Sequence, residues 1–338
     1  MCVTAAACNP VNDNAVVLSK ADALAPNLTD GSALDTQVFD PIPSADDSVE
    51  YPADTVVYEI IPAPDSVRVV DTSLAPPIIF GDDRPARLQV PSSYDPATPI
   101  PLVVILHGYY FNPGYVIAGF QMESFFEDIG VLTIAPEGLV NLTGNHFWNG
   151  SPSCCDFFGS NVDDVAYLST LIESIQVAYT VDARRIYAIG HSNGAFMANT
   201  LACERPDLLA GVISVAGAAN PACTPAGELS VLHVHATGDD SIFYEGGMLN
   251  GAVYPGAVGT AEYWAQANGC SLESEVIGAI DFNQFVPGAE SEMARYIACP
   301  EGIDVDLWTE PGGPHMPRLP VGFYLKWWEW MNAHPKPE

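Results

Sequence analysis

From about Tyr51 onward, short apolar runs alternate with longer stretches in which apolar positions recur every three or four residues. The runs at 102–106, 131–135, 186–189, 211–215 and 231–235 are largely apolar and lack the strict alternation of a half-exposed strand. That pattern suits strands buried on both faces. Residues 67–71 and 84–90 read as two further strands, with the turn-forming Phe80-Gly81-Asp82-Asp83 before the second. Helical spacing predicts helices over 162–179, 195–204, 260–268 and 321–332. The first opens on Asp163-Asp164. The last places Phe323, Trp327, Trp330 and Met331 on one face, as core packing requires. Buried strands alternating with helices predict a mostly parallel sheet covered by helices on both faces. In such sheets the site lies beyond the carboxyl ends of the strands.

Residues 1–50 differ. They are rich in Ala, Asp, Asn, Pro and Ser and show no sustained period, so they read as a flexible leader. Residues 51–338 are then expected to form a single catalytic domain. No stretch is apolar for long enough to span a membrane. The 42 acidic residues outnumber the 11 basic ones, a formal net charge of −31, which disfavours nucleic acid and anionic membranes as partners. The same excess gives a strongly solvated surface, and adaptation to a saline habitat is a sharper reading of it. The eight cysteines, Cys2, Cys8, Cys154, Cys155, Cys203, Cys223, Cys270 and Cys299, lack paired zinc-type spacing. Their even number favours disulfides and a secreted or cell-surface location. No basic and apolar leader of the secretory kind stands at the start, so any signal peptide is expected to have been removed. Asn27-Leu28-Thr29 and Asn141-Leu142-Thr143 match glycosylation sequons.

One segment changes the picture from architecture to chemistry. Gly190-His191-Ser192-Asn193-Gly194 is a G-x-S-x-G pentapeptide between a predicted strand and a predicted helix. This is the context of a nucleophile elbow, where a serine in a strained backbone needs small neighbours and sits at a helix N-terminus. Such a serine needs a base and an orienting carboxylate, which in this architecture follow in the order Ser, Asp or Glu, His. Of the later histidines, His334 lies in the C-terminal tail, and His233 and His235 alternate within a strand, where packing or hydrogen bonding suits them. His315 stands in the loop Pro311-Gly312-Gly313-Pro314-His315-Met316-Pro317 and is the expected base. The acid is Asp239, with Asp240 its near competitor. Two backbone N–H groups should form the oxyanion hole: that of Asn193, and that of Tyr109 after the strand ending Leu106-His107-Gly108. No metal or organic cofactor is required.

With these residues in hand, the chain resembles the polyhydroxybutyrate depolymerase-like and feruloyl esterase-like group of α/β-hydrolases. The resemblance rests on His191-Ser192-Asn193-Gly194 with Leu201-Ala202-Cys203-Glu204. It also rests on Leu106-His107-Gly108, Phe147-Trp148-Asn149, Val162-Asp163-Asp164-Val165, and His235-Ala236-Thr237-Gly238-Asp239 through Tyr244-Glu245-Gly246-Gly247. Asn268-Gly269-Cys270, then Cys299, and Gly312-Gly313-Pro314-His315 complete it. It implies the α/β-hydrolase fold and the triad Ser192, Asp239 and His315, favouring Asp239 over Asp240. It further implies the pairs Cys203–Cys223 and Cys270–Cys299. Cys154-Cys155 can bridge to each other or pair elsewhere, and Cys2 can pair with Cys8. Ala195, Phe243 and Met316-Pro317-Arg318 depart from the group's usual residues.

The expected activity is hydrolysis of carboxylic esters by an acyl-enzyme route. The substrate is expected to be an extracellular polymer: a polyester such as polyhydroxybutyrate or polyethylene terephthalate, or a feruloylated or acetylated polysaccharide. Tyr109, Trp148, Phe243, Tyr244 and Met316 are the expected substrate contacts, because an aromatic cleft suits such groups. The enzyme is expected to act as a monomer. A serine peptidase of the same fold and a catalytically silent binding protein are the alternatives.

Overall fold

The computed structural model describes residues 76 and 78–337. The predicted 67–71 strand, the 1–50 leader, Asn27, Cys2 and Cys8 lie outside them. The chain runs β1 (Ile79–Phe80), β2 (Ala86–Gln89), β3 (Ile100–Leu106), α1 (Pro113–Gly119), α2 (Phe125–Ile129), β4 (Leu132–Ile134), β5 (Leu139–Val140), β6 (His146–Phe147), α3 (Asp164–Ala178) and β7 (Val181–His191). It continues through α4 (Asn193–Glu204), β8 (Gly211–Val215), β9 (Ser230–Ala236), β10 (Gly246–Leu249), β11 (Ala252–Pro255) and α5 (Ala257–Ala267). It ends with β12 (Ser274–Ile280), β13 (Ser291–Tyr296), β14 (Val305–Glu310) and α6 (Tyr324–Ala333). Ten strands form one sheet in the order β1-β2-β4-β3-β7-β8-β9-β14-β13-β12. The six from β4 to β14 are parallel, and the strands at both edges are antiparallel. This is the α/β-hydrolase fold.

The central strands are buried on both faces, which is why they read as apolar runs. One face packs on α3, α4 and α5 through Leu168, Ile172, Met197, Leu201 and Trp264. The other packs on α1, α2 and α6 through Val116, Phe125, Trp327 and Met331. Asp163 caps α3 by accepting the Ala166 N–H at 2.8 Å, so the helix starts at Asp164, two residues later than predicted. The α6 helix begins three residues later than predicted because Gly322 takes φ 78°, outside the helical region. Among the described residues, no helix is long and apolar enough to cross a membrane.

Among the described residues, three disulfides are formed. Cys203–Cys223 ties α4 to the loop after β8, and Cys270–Cys299 joins the end of α5 to the segment between β13 and β14. Cys154 and Cys155 bridge to each other in the loop between β6 and α3.

Four parallel strands end at the same rim of the sheet. There β3 releases His107-Gly108-Tyr109, β7 releases Ser192, β9 releases the loop carrying Asp239, and β14 releases the loop carrying His315.

Candidate active site

Ser192 stands between β7 and α4 with φ 56° and ψ −120°, a left-handed conformation that few side-chain-bearing residues adopt. Its N–H donates to the Val215 carbonyl at 2.8 Å, and its own carbonyl accepts from Ala195 and Phe196. The turn closes this sharply because Gly190 and Gly194 lack side chains. A Cβ on Gly190 would collide with the Gly194 carbonyl, and one on Gly194 with the Leu106 carbonyl. The hydroxyl therefore sits at the N-terminus of a twelve-residue helix, which favours negative charge there.

His315 and Asp239 meet at this rim. The His315 Nδ1–H donates to Asp239 Oδ2 at 2.7 Å. Asp239 Oδ1 accepts from the N–H groups of Ser241 and Ile242, each at 2.9 Å. Asp240 is exposed and bonds only the neighbouring Ser241 hydroxyl, so the carboxylate that reaches the histidine is that of Asp239. The two loops press together at Gly238, where a Cβ would lie 2.8 Å from the Gly312 and Gly313 carbonyls. Burial alone would raise the Asp239 pKa, but hydrogen bonds from His235 and His315 outweigh it and hold the carboxyl well below its usual range. His315 is tied back to the elbow by His191, whose Nε2–H donates to the His315 carbonyl at 3.0 Å. Burial drives the His191 pKa down to about 3, so its ring is neutral. Among the described residues, no hydrogen bond joins the Ser192 hydroxyl to His315.

Tyr109 and Asn193 flank the serine from two sides. A Cβ on Gly108 would lie 3.3 Å from the Ser192 Cβ, so only a bare backbone passes this close. Among the described residues, neither the Tyr109 nor the Asn193 backbone N–H has an acceptor. The His107 ring fixes the loop: its Nε2 accepts from the Gly138 N–H at 2.9 Å, so its Nδ1–H donates to the Gly108 carbonyl at 2.8 Å. Burial takes the His107 pKa down to about 4, consistent with this neutral tautomer.

The chain matches the model of the putative esterase family over residues 79–278. It belongs to that family. Feruloyl esterase B of Piromyces equi is 28% identical over 243 residues, covering 69% of this chain and 42% of the relative. Poly(3-hydroxybutyrate) depolymerase of Ralstonia pickettii is 32% identical over 122 residues, or 33% of this chain and 24% of the relative. The chain thus spans less than half the length of either. The structure of acetyl xylan esterase from Aspergillus awamori superposes with a TM-score of 0.54 at 16% identity, over 74% of this chain and 94% of that one. That likeness shows the fold. Both kinships expected from the motifs are found among the relatives of this putative esterase.

The family's sequence motifs do not all line the cleft. Trp148, expected to touch substrate, has no exposed surface, and this expectation is corrected. Its indole N–H donates to the His107 carbonyl at 3.1 Å. Its backbone N–H and carbonyl pair with the Asn193 side chain at 2.7 and 2.8 Å. Trp148 is thus a buried strut linking the two sides of the candidate oxyanion hole. Tyr244 is half-buried, hydroxyl-bonded to Thr309 at 3.0 Å, with its ring against His235. Met316 packs on Gly119 of α1. Phe243 is 52% exposed. Tyr109 lies edge-on to both Tyr110 and Phe157, its hydroxyl accepting from Asn141 Nδ2 at 2.8 Å. His334 is remote, bonded to Trp330 and Asp304. The residue that sequence reasoning left out of the site is His235, whose Nε2 lies 3.2 Å from Asp239 Oδ2. The alternation of His233 and His235 in β9 was the available signal, since residues two apart share a face.

Proposed function

We propose that this chain is a serine carboxylic-ester hydrolase. The observation that carries the reading is the strained elbow of Ser192 set at the same rim as a His315–Asp239 pair 2.7 Å apart. His315 Nε2 takes the Ser192 proton as the hydroxyl attacks the ester carbonyl, and a tetrahedral oxyanion forms between the N–H groups of Tyr109 and Asn193. Collapse expels the alcohol, which receives the proton from His315, and an acyl-serine remains. Water, activated by the same histidine, releases the acid. Asp239 holds the ring with Nε2 facing the serine and stabilises the charged imidazolium. The Ser192–His315 hydrogen bond forms when substrate fills the cleft, as catalytic contacts commonly tighten on binding.

The substrate class is an extracellular ester polymer. Support comes from the feruloyl esterase and the poly(3-hydroxybutyrate) depolymerase among the relatives, from the ring cluster of Tyr109, Tyr110 and Phe157, and from the exposed Phe243. Three disulfides suit an oxidising compartment outside the cell.

Ser192→Ala tests the reading against a short p-nitrophenyl ester. Hydrolysis should fall by about four orders of magnitude or more, with thermal stability kept. Full activity in that variant would sink the assignment. A panel of polyhydroxybutyrate, polyethylene terephthalate, feruloyl esters and acetylated xylan then ranks the substrates.

A further inference from the structure

We propose that His235 is a positioning residue for Asp239, held in its donating tautomer by a buried chain of hydrogen bonds that begins at Trp264. The proposal rests on the reading of Asp239 as the triad carboxylate.

The chain runs through the core beneath the cleft. The Trp264 Nε1–H donates to Asn199 Oδ1 at 2.7 Å, and Asn199 Nδ2 donates to Ser214 Oγ at 2.8 Å. Ser214 Oγ lies 3.2 Å from His233 Nδ1, and His233 Nε2 lies 3.2 Å from His235 Nδ1. His235 Nε2 then faces two oxygens, the Ile242 carbonyl at 2.8 Å and Asp239 Oδ2 at 3.2 Å. Trp264, Asn199, Ser214 and His233 are fully buried, and His235 and Asp239 are nearly so.

The two ends set the direction of every bond. An indole N–H can only donate, and a carbonyl and a carboxylate can only accept. His235 Nε2 therefore carries a proton. Its neutral ring leaves Nδ1 to accept, so His233 donates from Nε2. Burial pushes the His233 pKa far down, so that ring is neutral too, and its Nδ1 accepts from the Ser214 hydroxyl. The Ser214 oxygen in turn accepts from Asn199. A charged His235 would reverse His233 and leave the Ser214 proton without an acceptor among the described groups. All donors thus point the same way, and the last, the His235 Nε2–H, is shared between the Ile242 carbonyl at 2.8 Å and Asp239 Oδ2 at 3.2 Å, an arrangement in which each bond polarises the next.

Asp239 thus receives two backbone N–H groups on Oδ1 and His315 on Oδ2, with His235 Nε2 3.2 Å from the same Oδ2. These contacts oppose rotation of the carboxylate away from His315. The charge it presents to His315 is also tempered, because His235 shares the same oxygen. Without His235, Oδ2 becomes more basic and draws the His315 proton harder, which raises the proton affinity of the base. The titratable groups around the His235 ring are His233 on its own strand, Asp239 and Tyr244 on the loop that follows, and His191 and His315 at the rim.

The test measures kcat, KM and the pH profile of kcat/KM. His235→Leu should lose about ten- to a hundredfold in kcat, keep its KM, and move the acid limb to higher pH. His235→Gln, which keeps an amide N–H within reach of Oδ2, should recover most of both. Ser214→Ala, three hydrogen bonds from the carboxylate, should move the limb the same way by less. A folded His235→Leu chain with the wild-type kcat and acid limb, beside an inactive Ser192→Ala chain, overturns the proposal alone. Activity retained in both Ser192→Ala and Asp239→Asn overturns the triad and the proposal with it. If His235→Leu does not fold, Ser214→Ala decides, and an unmoved limb overturns the proposal.

Discussion

Glu310 ends β14 just before the loop that carries His315, and it is almost wholly buried. Its Oε1 accepts from Asn283 Nδ2 at 2.7 Å, while its Oε2, like that of nearby Glu290, has no hydrogen-bond partner among the described residues. Burial pushes its pKa up to about 7, against the Asn283 hydrogen bond and with help from the Glu290 charge. In the unfolded chain the same group releases its proton near the ordinary carboxylate value. The folded state therefore binds more protons between the two values. This stability is complete below the unfolded pKa and is lost as pH rises through about 7, a loss on the order of 3 kcal/mol. Glu310→Gln should remove that slope. Urea midpoints of variant and wild type should separate steadily from pH 5 to pH 8, with the variant the more stable at high pH; a constant gap would contradict this. Asp239 has the opposite sign. Its carboxyl is held below the usual range, so its contribution is present above the unfolded pKa and fades as pH falls through the folded value.

Elements differ in how openly the sequence displays them. The five central strands were plain, because strands buried on both faces become apolar runs. The β14 strand is as buried as they are but hides two carboxylates. Asp306 is satisfied by Arg295 and the Trp330 indole, and Glu310 is held at Oε1 by Asn283, all partners distant in sequence. The β12 strand is an exposed edge that carries Val276, Ile277 and Ile280, but no alternation of buried and exposed positions marks it. The same logic governs the site. Ser192, Asp239 and His315 were legible because chain order and loop chemistry identify them. Trp148 was misplaced and His235 passed over because their roles depend on neighbours brought together only by folding. The Cys203–Cys223 bridge belongs to this scale as well. It closes a loop of sequence separation 20 between α4 and the segment after β8. Replacing both cysteines with serine should cost about 3 kcal/mol of unfolding free energy, read from urea titrations. An unchanged midpoint would mean that the unfolded chain is not constrained by the bridge.

For the molecule as a whole, charge is the dominant fact. Five of the described bases pair with carboxylates: Arg84 with Asp164, Arg185 with Asp182, Arg205 with Glu173 and Asp207, Arg295 with Asp304 and Asp306, and Lys326 with Glu329. A formal charge of −31 therefore leaves a large uncompensated acidic surplus. Salt shortens the range of that repulsion from about 30 Å at 0.01 M to about 3 Å at 1 M. The melting temperature should rise across this range, and a flat response would show that self-repulsion carries no weight. Neutral polyesters and esterified polysaccharides escape this field, whereas nucleic acids do not. The aromatic stripe of α6 has a further, optical consequence. Of the six tryptophans in the chain, Trp148, Trp264, Trp308, Trp327 and Trp330 are each at most 6% exposed. Trp308 and Trp327 stack 6.0 Å apart with indole N–H groups that have no hydrogen-bond partner among the described residues. Indoles in such dry surroundings emit toward the blue and shift to the red when water reaches them. Unlabelled fluorescence therefore follows the opening of both faces of the sheet, and Trp264 places one of these emitters at the head of the hydrogen-bonded chain that runs to His235.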